Sequence, residues 1–302
     1  MRALVTGGAG LVGLAVRRAL AERGDEAIGV DRTDFGRDDP TLRLVSFAET
    51  DRLESLMRDE GVEAVVHAGG LSSPVMGAED PLRTVDINIT ATAFLLDAAR
   101  RLGASRFVFC SSHVVYGDVG PGTIDEDHPL KPASAYAASK VAGEALVSAF
   151  ARAYGLPGAS LRITRVYGPY RRAECPFRRI VGDHAAGLAT TIACDPAFPY
   201  HYVHVDDVAC AVLACLDAKD LPSDVLNVTS GERLTMPEVV DRVHAVLPDA
   251  RIELVDGADP APEVQDDFSL ARWDGIWFPR YDLRTGFARY LAAMPESGVI
   301  RL

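Results

Sequence analysis

No apolar run in the sequence approaches the roughly 20 residues needed to span a bilayer, so a membrane-spanning helix is excluded. The first residues run almost directly into a strand-like segment, Ala3-Leu4-Val5, so no signal peptide is expected. Basic residues are in the minority: Lys and Arg total 31 against 43 Asp and Glu, a formal charge of −12. That balance gives no support to nucleic acid or an anionic membrane as partner. Cysteine is scarce. Cys110, Cys175, Cys194, Cys210 and Cys215 are odd in number, have no CxxC spacing and lie mostly in apolar segments, so reduced structural thiols and a cytoplasmic location are expected. His201 and His204 share a strand-like segment without a paired Cys/His set, so no metal site is expected. There is no internal repeat and no low-complexity tract. What remains is 302 residues, 48% hydrophobic and 25% charged, enough to bury one large domain or a domain with a smaller appendage.

The first 31 residues organise the rest. Ala3-Leu4-Val5 reads as a buried strand, and Gly7, Gly10 and Gly13 follow at once. Leu11, Leu14, Ala15, Arg18, Ala19 and Ala21 then recur at helical spacing, and Gly24 closes the helix. Ala27-Ile28-Gly29-Val30 is a second apolar run, ended by Asp31. In a strand, glycine turn, helix, strand and acid in this order, the glycines let backbone approach a pyrophosphate. The N–H groups of the first turn, at Leu11, Val12 and Gly13, face its charge, and the acid takes the adenosine ribose hydroxyls. Asp31 favours NAD, since its charge repels a ribose 2′-phosphate; Arg32 and Arg37 are close enough in sequence to leave NADP open.

Further strands are expected at 42–45, 64–68, 107–110, 159–163 and 225–228, with helices at 51–60, 86–102, 135–154, 206–216, 236–247 and 283–294. Alternation of this kind implies an α/β fold, a doubly wound parallel sheet with helices on both faces. Ligands of such sheets bind at the C-terminal ends of the strands. Gly7, Gly69, Ser112 and Arg165 all fall just past such ends, and a loop with Ser72, Ser73 and Pro74 follows Gly69-Gly70. After Tyr167 the pattern loosens. We read 1–168 with 201–228 as a dinucleotide-binding domain, and 169–200 with 229–302 as a smaller substrate-covering lobe.

Tyr136 and Lys140 stand one helical turn apart on one face. The ammonium is expected to lower the pKa of the phenol and to hold the nicotinamide ribose. The phenol can then exchange a proton with a substrate hydroxyl or carbonyl while hydride moves. Ser112, at the preceding strand end, can bond the same substrate oxygen. His67 reads as a residue satisfying backbone near the sheet edge, and His113 as either facing the pocket or buried in the sheet. Arg171, Arg172, Arg178 and Arg179 form a basic run that is either a solvated face or an anion site beside Arg165. Trp273 and Trp277 read as packing residues of the small lobe.

These segments together resemble the extended short-chain dehydrogenase/reductases, the NAD-dependent epimerase/dehydratase group, over nearly the whole chain. Thr6-Gly-Gly-Ala-Gly-Leu-Val-Gly13 is similar to the TGxxGxxG of that family, and His67-Ala-Gly-Gly-Leu71 to its HxAG segment. The second likeness implies that Ala68, Gly69 and Gly70 line the cofactor. Asn88-Ile-Thr-Ala-Thr92 resembles NxxGT, with Ala91 in place of the glycine, and implies Asn88 at the cofactor. Cys110-Ser-Ser-His-Val-Val-Tyr-Gly117 resembles the SSxxVYG strand end and makes Ser112, rather than Ser111, the catalytic serine beside Tyr136 and Lys140. Leu161 to Pro169 resembles LRxxNxYGP, and Val203 to Asp207 the xYVDD junction. The resemblance implies a seven-stranded Rossmann domain with a small C-terminal substrate domain, and a homodimer through helices 88–102 and 135–154.

The departures bear on substrate. Nucleotide-sugar members have Asn at the position of Arg165, Arg at that of Tyr200, and an Arg-led turn where Asp256-Gly-Ala-Asp259 stands here. Loss of both arginines removes two diphosphate contacts of roughly 1.5–3 kcal/mol each. The expectation is therefore an NAD-dependent oxidoreductase acting on a secondary alcohol or carbonyl of a small, anionic sugar or sugar acid. Its substrate contacts would come from Ser72, Ser112, His113, Arg165 and Arg171, with Arg165 binding either the substrate charge or an internal acid. Uronate dehydrogenase relatives share the HxGGxS and SSxH segments. The alternatives are a nucleotide-sugar 4-epimerase or dehydratase of the same family and, in another class, a sensor that binds dinucleotide without turnover.

Overall fold

A computed structural model describes residues 1–37, 39–72, 80–173, 175–221, 223–259 and 263–297. The strands are β1 (Arg2–Thr6), β2 (Glu26–Asp31), β3 (Leu42–Leu44), β4 (Ala64–His67), β5 (Arg106–Ser112), β6 (Gly158–Ile163), β7 (Arg165–Tyr167), β8 (Ala189–Cys194), β9 (Tyr202–His204), β10 (Val225–Val228) and β11 (Arg251–Asp256). The helices are α1 (Leu11–Glu22), α2 (Thr50–Asp59), α3 (Pro81–Val85), α4 (Ala91–Arg101), α5 (Ala135–Tyr154), α6 (Pro176–Ala185), α7 (Val205–Asp217), α8 (Met236–His244) and α9 (Leu283–Ser297).

Seven strands form one parallel sheet in the order β10-β6-β5-β4-β1-β2-β3. The order reverses between β1 and β4, and that switch point opens a crevice beyond the strand ends. The strands are apolar on both faces because both are covered. On one face α1 and α7 pack with Val5, Val66, Val108 and Leu161. On the other, α2, α4 and α5 pack with Leu4, Val65, Phe107 and Phe109. This is the doubly wound Rossmann architecture read from the sequence.

A further core gathers Phe177, Tyr200, Tyr202, Val239 and Phe287 beyond the sheet. It is braced by two short parallel pairs, β11 with β8 and β7 with β9. Sequence periodicity did not reveal β8 or β11. The alternation of β8 is buried against exposed over only six residues, and β11 is exposed along nearly its whole length.

Other boundaries shift for local reasons. The helix expected over 86–102 begins at Pro81, capped by the Asp80 carboxylate on the Arg83 N–H, and passes through a π-helical turn at Asp86–Thr90 before α4. Strand β5 starts one residue early, at Arg106, and ends in Ser111 and Ser112, which puts Ser112 at the strand end as expected. Helix α5 is bounded as its sequence implies. The Ser134 hydroxyl accepts from the Ala137 N–H at its start, and Gly155 ends it at φ +68°. Trp273 and Trp277 pack as expected, but on the large core rather than the small lobe; the Trp273 indole donates to the Asn227 carbonyl at 2.7 Å.

Candidate active site

The cleft begins at the turn after β1. Gly7 has φ +65°, and a Cβ there would stand 2.7 Å from the Ala68 carbonyl oxygen across the switch point. A Cβ on Gly13 would stand 2.1 Å from the Gly7 oxygen. Glycine at these two positions lets the ends of β1, β4 and α1 meet. Gly10 caps α1 with no side-chain bond, and the first turn holds no acid. The N–H groups of Leu11 and Val12 are therefore unclaimed by any side-chain cap, at the positive end of the helix dipole. Asp31, at the end of β2, accepts from the N–H of Ala9 at 3.2 Å and of Arg32 at 2.8 Å, which fixes its carboxylate against the glycine turn. Arg32 is exposed. Arg37 donates to the Ala9 carbonyl at 2.7 Å and lies under the Tyr170 ring.

The chemistry-bearing residues meet at the end of β5. Ser112 is buried there, close enough to Tyr136, in the first turn of α5, for its hydroxyl to act on the phenol. Lys140, one turn on, donates to the Cys110 carbonyl at 2.8 Å, with its nitrogen 5.7 Å from the centre of the Tyr136 ring. Burial pushes the phenol up to about 12, against the pull of the Ser112 hydroxyl, and pushes the ammonium down to about 8. This corrects one expectation. Within the protein alone, desolvation outweighs any help the phenol receives from its neighbours, and Lys140 is spent on holding the strand end. Ser111 points the other way, its hydroxyl donating to Glu144 at 2.6 Å. That bond removes it from the cleft and leaves Ser112 as the serine beside Tyr136.

The walls are tied together behind these groups. Asn88, in the π-helical turn, donates to the Ser139 hydroxyl at 2.9 Å and the Leu71 carbonyl at 3.1 Å, and accepts from the Leu71 N–H at 2.9 Å. The Ser139 hydroxyl in turn donates to the carbonyl of Tyr136 at 2.7 Å. Asn88 thus joins the loop after β4 to the backbone that carries the tyrosine. Gly69 is buried with its N–H on the Thr6 hydroxyl at 3.1 Å, whereas Gly70 and Ser72 are exposed beside it. Ser73 and Pro74 lie outside the described residues. His67 is on an interior strand, not near the sheet edge, and bridges two side-chain hydroxyls, Thr6 at 2.7 Å and Thr92 at 3.0 Å. Burial holds it neutral, down to about 3.

Arg165 and Arg171 are occupied by the protein. Arg165 makes a two-pronged contact with Asp259, at 2.9 and 3.3 Å, under the rings of Tyr200 and Phe198. Burial, joined by the charge of the same carboxylate, pushes the Tyr200 phenol up. Arg171 donates to the Val166 carbonyl at 2.9 Å, and Arg172, Arg178 and Arg179 likewise end on carbonyls of Phe35, Arg172 and Thr191. The basic run is therefore not one cluster around Arg165.

The family model for the NAD-dependent epimerase/dehydratase family matches residues 3–229. The chain belongs to the NAD-dependent epimerase/dehydratase family. Members of this family are enzymes, and the relatives agree in kind. The chain is 28% identical to a UDP-glucose 4-epimerase of Corynebacterium glutamicum over 94% of its own length and 93% of the relative's. It is 30% identical to a dTDP-glucose 4,6-dehydratase of Streptomyces antibioticus over 78% and 74%. It superimposes on the crystal structure of Thermus thermophilus UDP-glucose 4-epimerase in complex with NAD with a TM-score of 0.87, at 28% identity, covering 98% of this chain and 99% of that one.

The residues present suit the family cofactor. The uncapped start of α1 and the close backbone approach at Gly7 provide for a pyrophosphate, and the fixed Asp31 carboxylate for ribose hydroxyls. Three residues that shape this epimerase/dehydratase site escaped sequence reasoning. Glu144 was within reach, since it continues the face of Tyr136 and Lys140 by one more helical turn. Asp259 lies 94 residues from its partner Arg165, and Gln265 lies 152 residues from His113, whose ring it meets; no spacing rule connects either pair.

Proposed function

We propose that the chain performs NAD-dependent hydride transfer at a secondary carbinol carbon of a sugar, and that the reaction is the 4-epimerisation of a nucleotide sugar. The supporting observation is that buried Ser112 and Tyr136 meet, with Lys140 one turn away, at the rim of the dinucleotide crevice. Likeness to nucleotide-sugar epimerases across almost the whole chain moves this reading ahead of the net oxidation expected from sequence. NAD would supply the hydride acceptor. Ser112 holds the sugar oxygen and Tyr136 carries its proton, away during oxidation and back on return. At neutral pH the buried phenol is protonated, so serving as a base requires a cation brought against it. Lys140 keeps the end of β5 in place through Cys110.

A second reading is favoured by the Arg165–Asp259 pair. A carboxylate in that subsite opposes a diphosphate, which suits net oxidoreduction of a smaller sugar or sugar acid. A panel of UDP-glucose, dTDP-glucose, glucose and glucuronate, followed at 340 nm and by product analysis, separates the two. Epimerisation gives a new nucleotide sugar with no net NADH, whereas net oxidation gives NADH in step with product. Tyr136→Phe should lower either rate at least about a hundredfold while NAD still binds. Near-normal turnover in that variant would refute the role of Tyr136.

A further inference from the structure

Beyond Ser112 the chain enters a tight turn, His113–Tyr116, and His113 directs its Nδ1 at the side-chain oxygen of Gln265. Gln265 is 2% exposed. Its amide nitrogen lies 2.9 Å from the His113 carbonyl oxygen and 3.1 Å from that of Gly117. Carbonyl oxygens only accept, so the NH₂ end of the amide belongs there and its oxygen must face the imidazole. That oxygen also only accepts. Nδ1 therefore carries the proton, and a neutral ring with Nδ1–H leaves a bare lone pair on Nε2. The ring is neutral at ordinary pH: burial, joined by the Arg165 charge, holds it down to about 3 against the Gln265 bond. The Gln265 backbone is also anchored, since His201 Nε2 lies 3.2 Å from its carbonyl oxygen, and Phe268 packs edge-on against both imidazoles. Among the described residues His113 Nε2 has no protein partner, and His113 is partly exposed between buried Ser112 and Val114.

We propose that Gln265 locks His113 in the Nδ1–H tautomer, which leaves Nε2, on the residue that follows Ser112, as an acceptor for a sugar hydroxyl. Gln265 is then a positioning residue, acting through His113. The acceptor role rests on the sugar reading above, whereas the tautomer does not.

Nitrogen-15 imidazole spectra of the full chain test both parts, with His113→Asn assigning the ring. In the unsubstituted protein the expected result is one ring with protonated Nδ1 and bare Nε2, unchanged between about pH 6 and 8. A ring protonated on Nε2, or charged at neutral pH, would overturn the lock. Gln265→Met removes the acceptor and should populate the Nε2–H ring; persistence of Nδ1–H alone would overturn the role of Gln265. Should that variant fail to fold, the spectrum of the unsubstituted chain still decides the tautomer. With NAD present, UDP-glucose and glucuronate are then titrated separately. A bound sugar that donates to Nε2 shifts that resonance, and a sugar that binds by calorimetry while leaving it unmoved overturns the acceptor role. If neither sugar binds, the sugar reading and the acceptor role fail together, and the tautomer result stands by itself.

Discussion

The Arg162 guanidinium grips the Glu144 carboxylate through three hydrogen bonds of 2.8, 3.0 and 3.2 Å, with both side chains almost wholly buried behind the strand end that carries Ser112. Arg162 also donates to the Tyr116 hydroxyl and the Glu126 carbonyl, each at 2.9 Å. Removing one partner of such a pair strands the other charge in the interior. Glu144→Leu should therefore cost about 3–5 kcal/mol in urea unfolding, and Glu144→Leu with Arg162→Met should recover much of it. A single-variant loss below about 1 kcal/mol would show that Glu126 takes over as counter-charge.

Lys140 carries a stability cost that pH can reveal. Its pKa falls from an ordinary 10.5 to about 8, chiefly through desolvation. Between those values the folded chain binds fewer protons than the unfolded chain, so stability rises with pH across that window. The cost of burying the ammonium is felt in full below about pH 8. Lys140→Met should raise stability at pH 7 by about 2 kcal/mol, after allowing for the lost bond to Cys110, and so raise Tm by several degrees. The advantage over the parent should shrink steadily as pH rises from 8 towards 10.5. A constant difference across that range would mean the ammonium is not the source.

Asp31 should set cofactor choice. Its carboxylate is fixed against the Ala9 N–H, where a ribose 2′-phosphate would meet like charge. NAD should bind at least about tenfold tighter than NADP, and Asp31→Asn should narrow the gap. Fluorescence titration of both cofactors measures it. Equal binding in the parent would place the exposed Arg32 on the phosphate.

Asp259→Asn should alter anion binding at the subsite under Tyr200. The substitution keeps a hydrogen-bonding oxygen for Arg165 and removes the opposing charge. UDP-glucose affinity, measured by calorimetry with NAD present, should improve about five- to tenfold, with a steeper dependence on salt. Unchanged affinity would mean that a diphosphate does not approach this subsite, and would favour the smaller substrate.

The Rossmann half of the fold was legible because its signals are local. Apolar runs, glycine turns and helix caps each occupy a few adjacent residues, and Gly7, Ser134 and Gly155 do in the structure what their positions imply. The cleft rim could be drawn from strand ends alone. What sequence did not disclose depends on distant partners. Arg165 read equally well as a substrate ligand or as half of an ion pair until Asp259 was found 94 residues away. The Tyr136–Lys140 spacing suggested a depressed phenol, but burial, which spacing does not encode, moves it upward. The π-helical turn at Asp86–Thr90 likewise carries Asn88, whose bonds to Leu71 and Ser139 reach 17 and 51 residues away, where no local signal points.

The placement of the two indoles has a consequence for how the chain matures. The sequence has two tryptophans, and both sit against strands laid down long before them, with Trp273 fastened to Asn227 of β10. A nascent chain on the ribosome can pair its strands but leaves one face of the sheet without these two rings until residues 273–277 emerge. Until then that apolar patch is open to chaperones and to other unfinished chains. Intrinsic tryptophan emission in a refolding experiment should accordingly lag behind backbone circular dichroism, because it times the docking of this late strap rather than the assembly of the sheet.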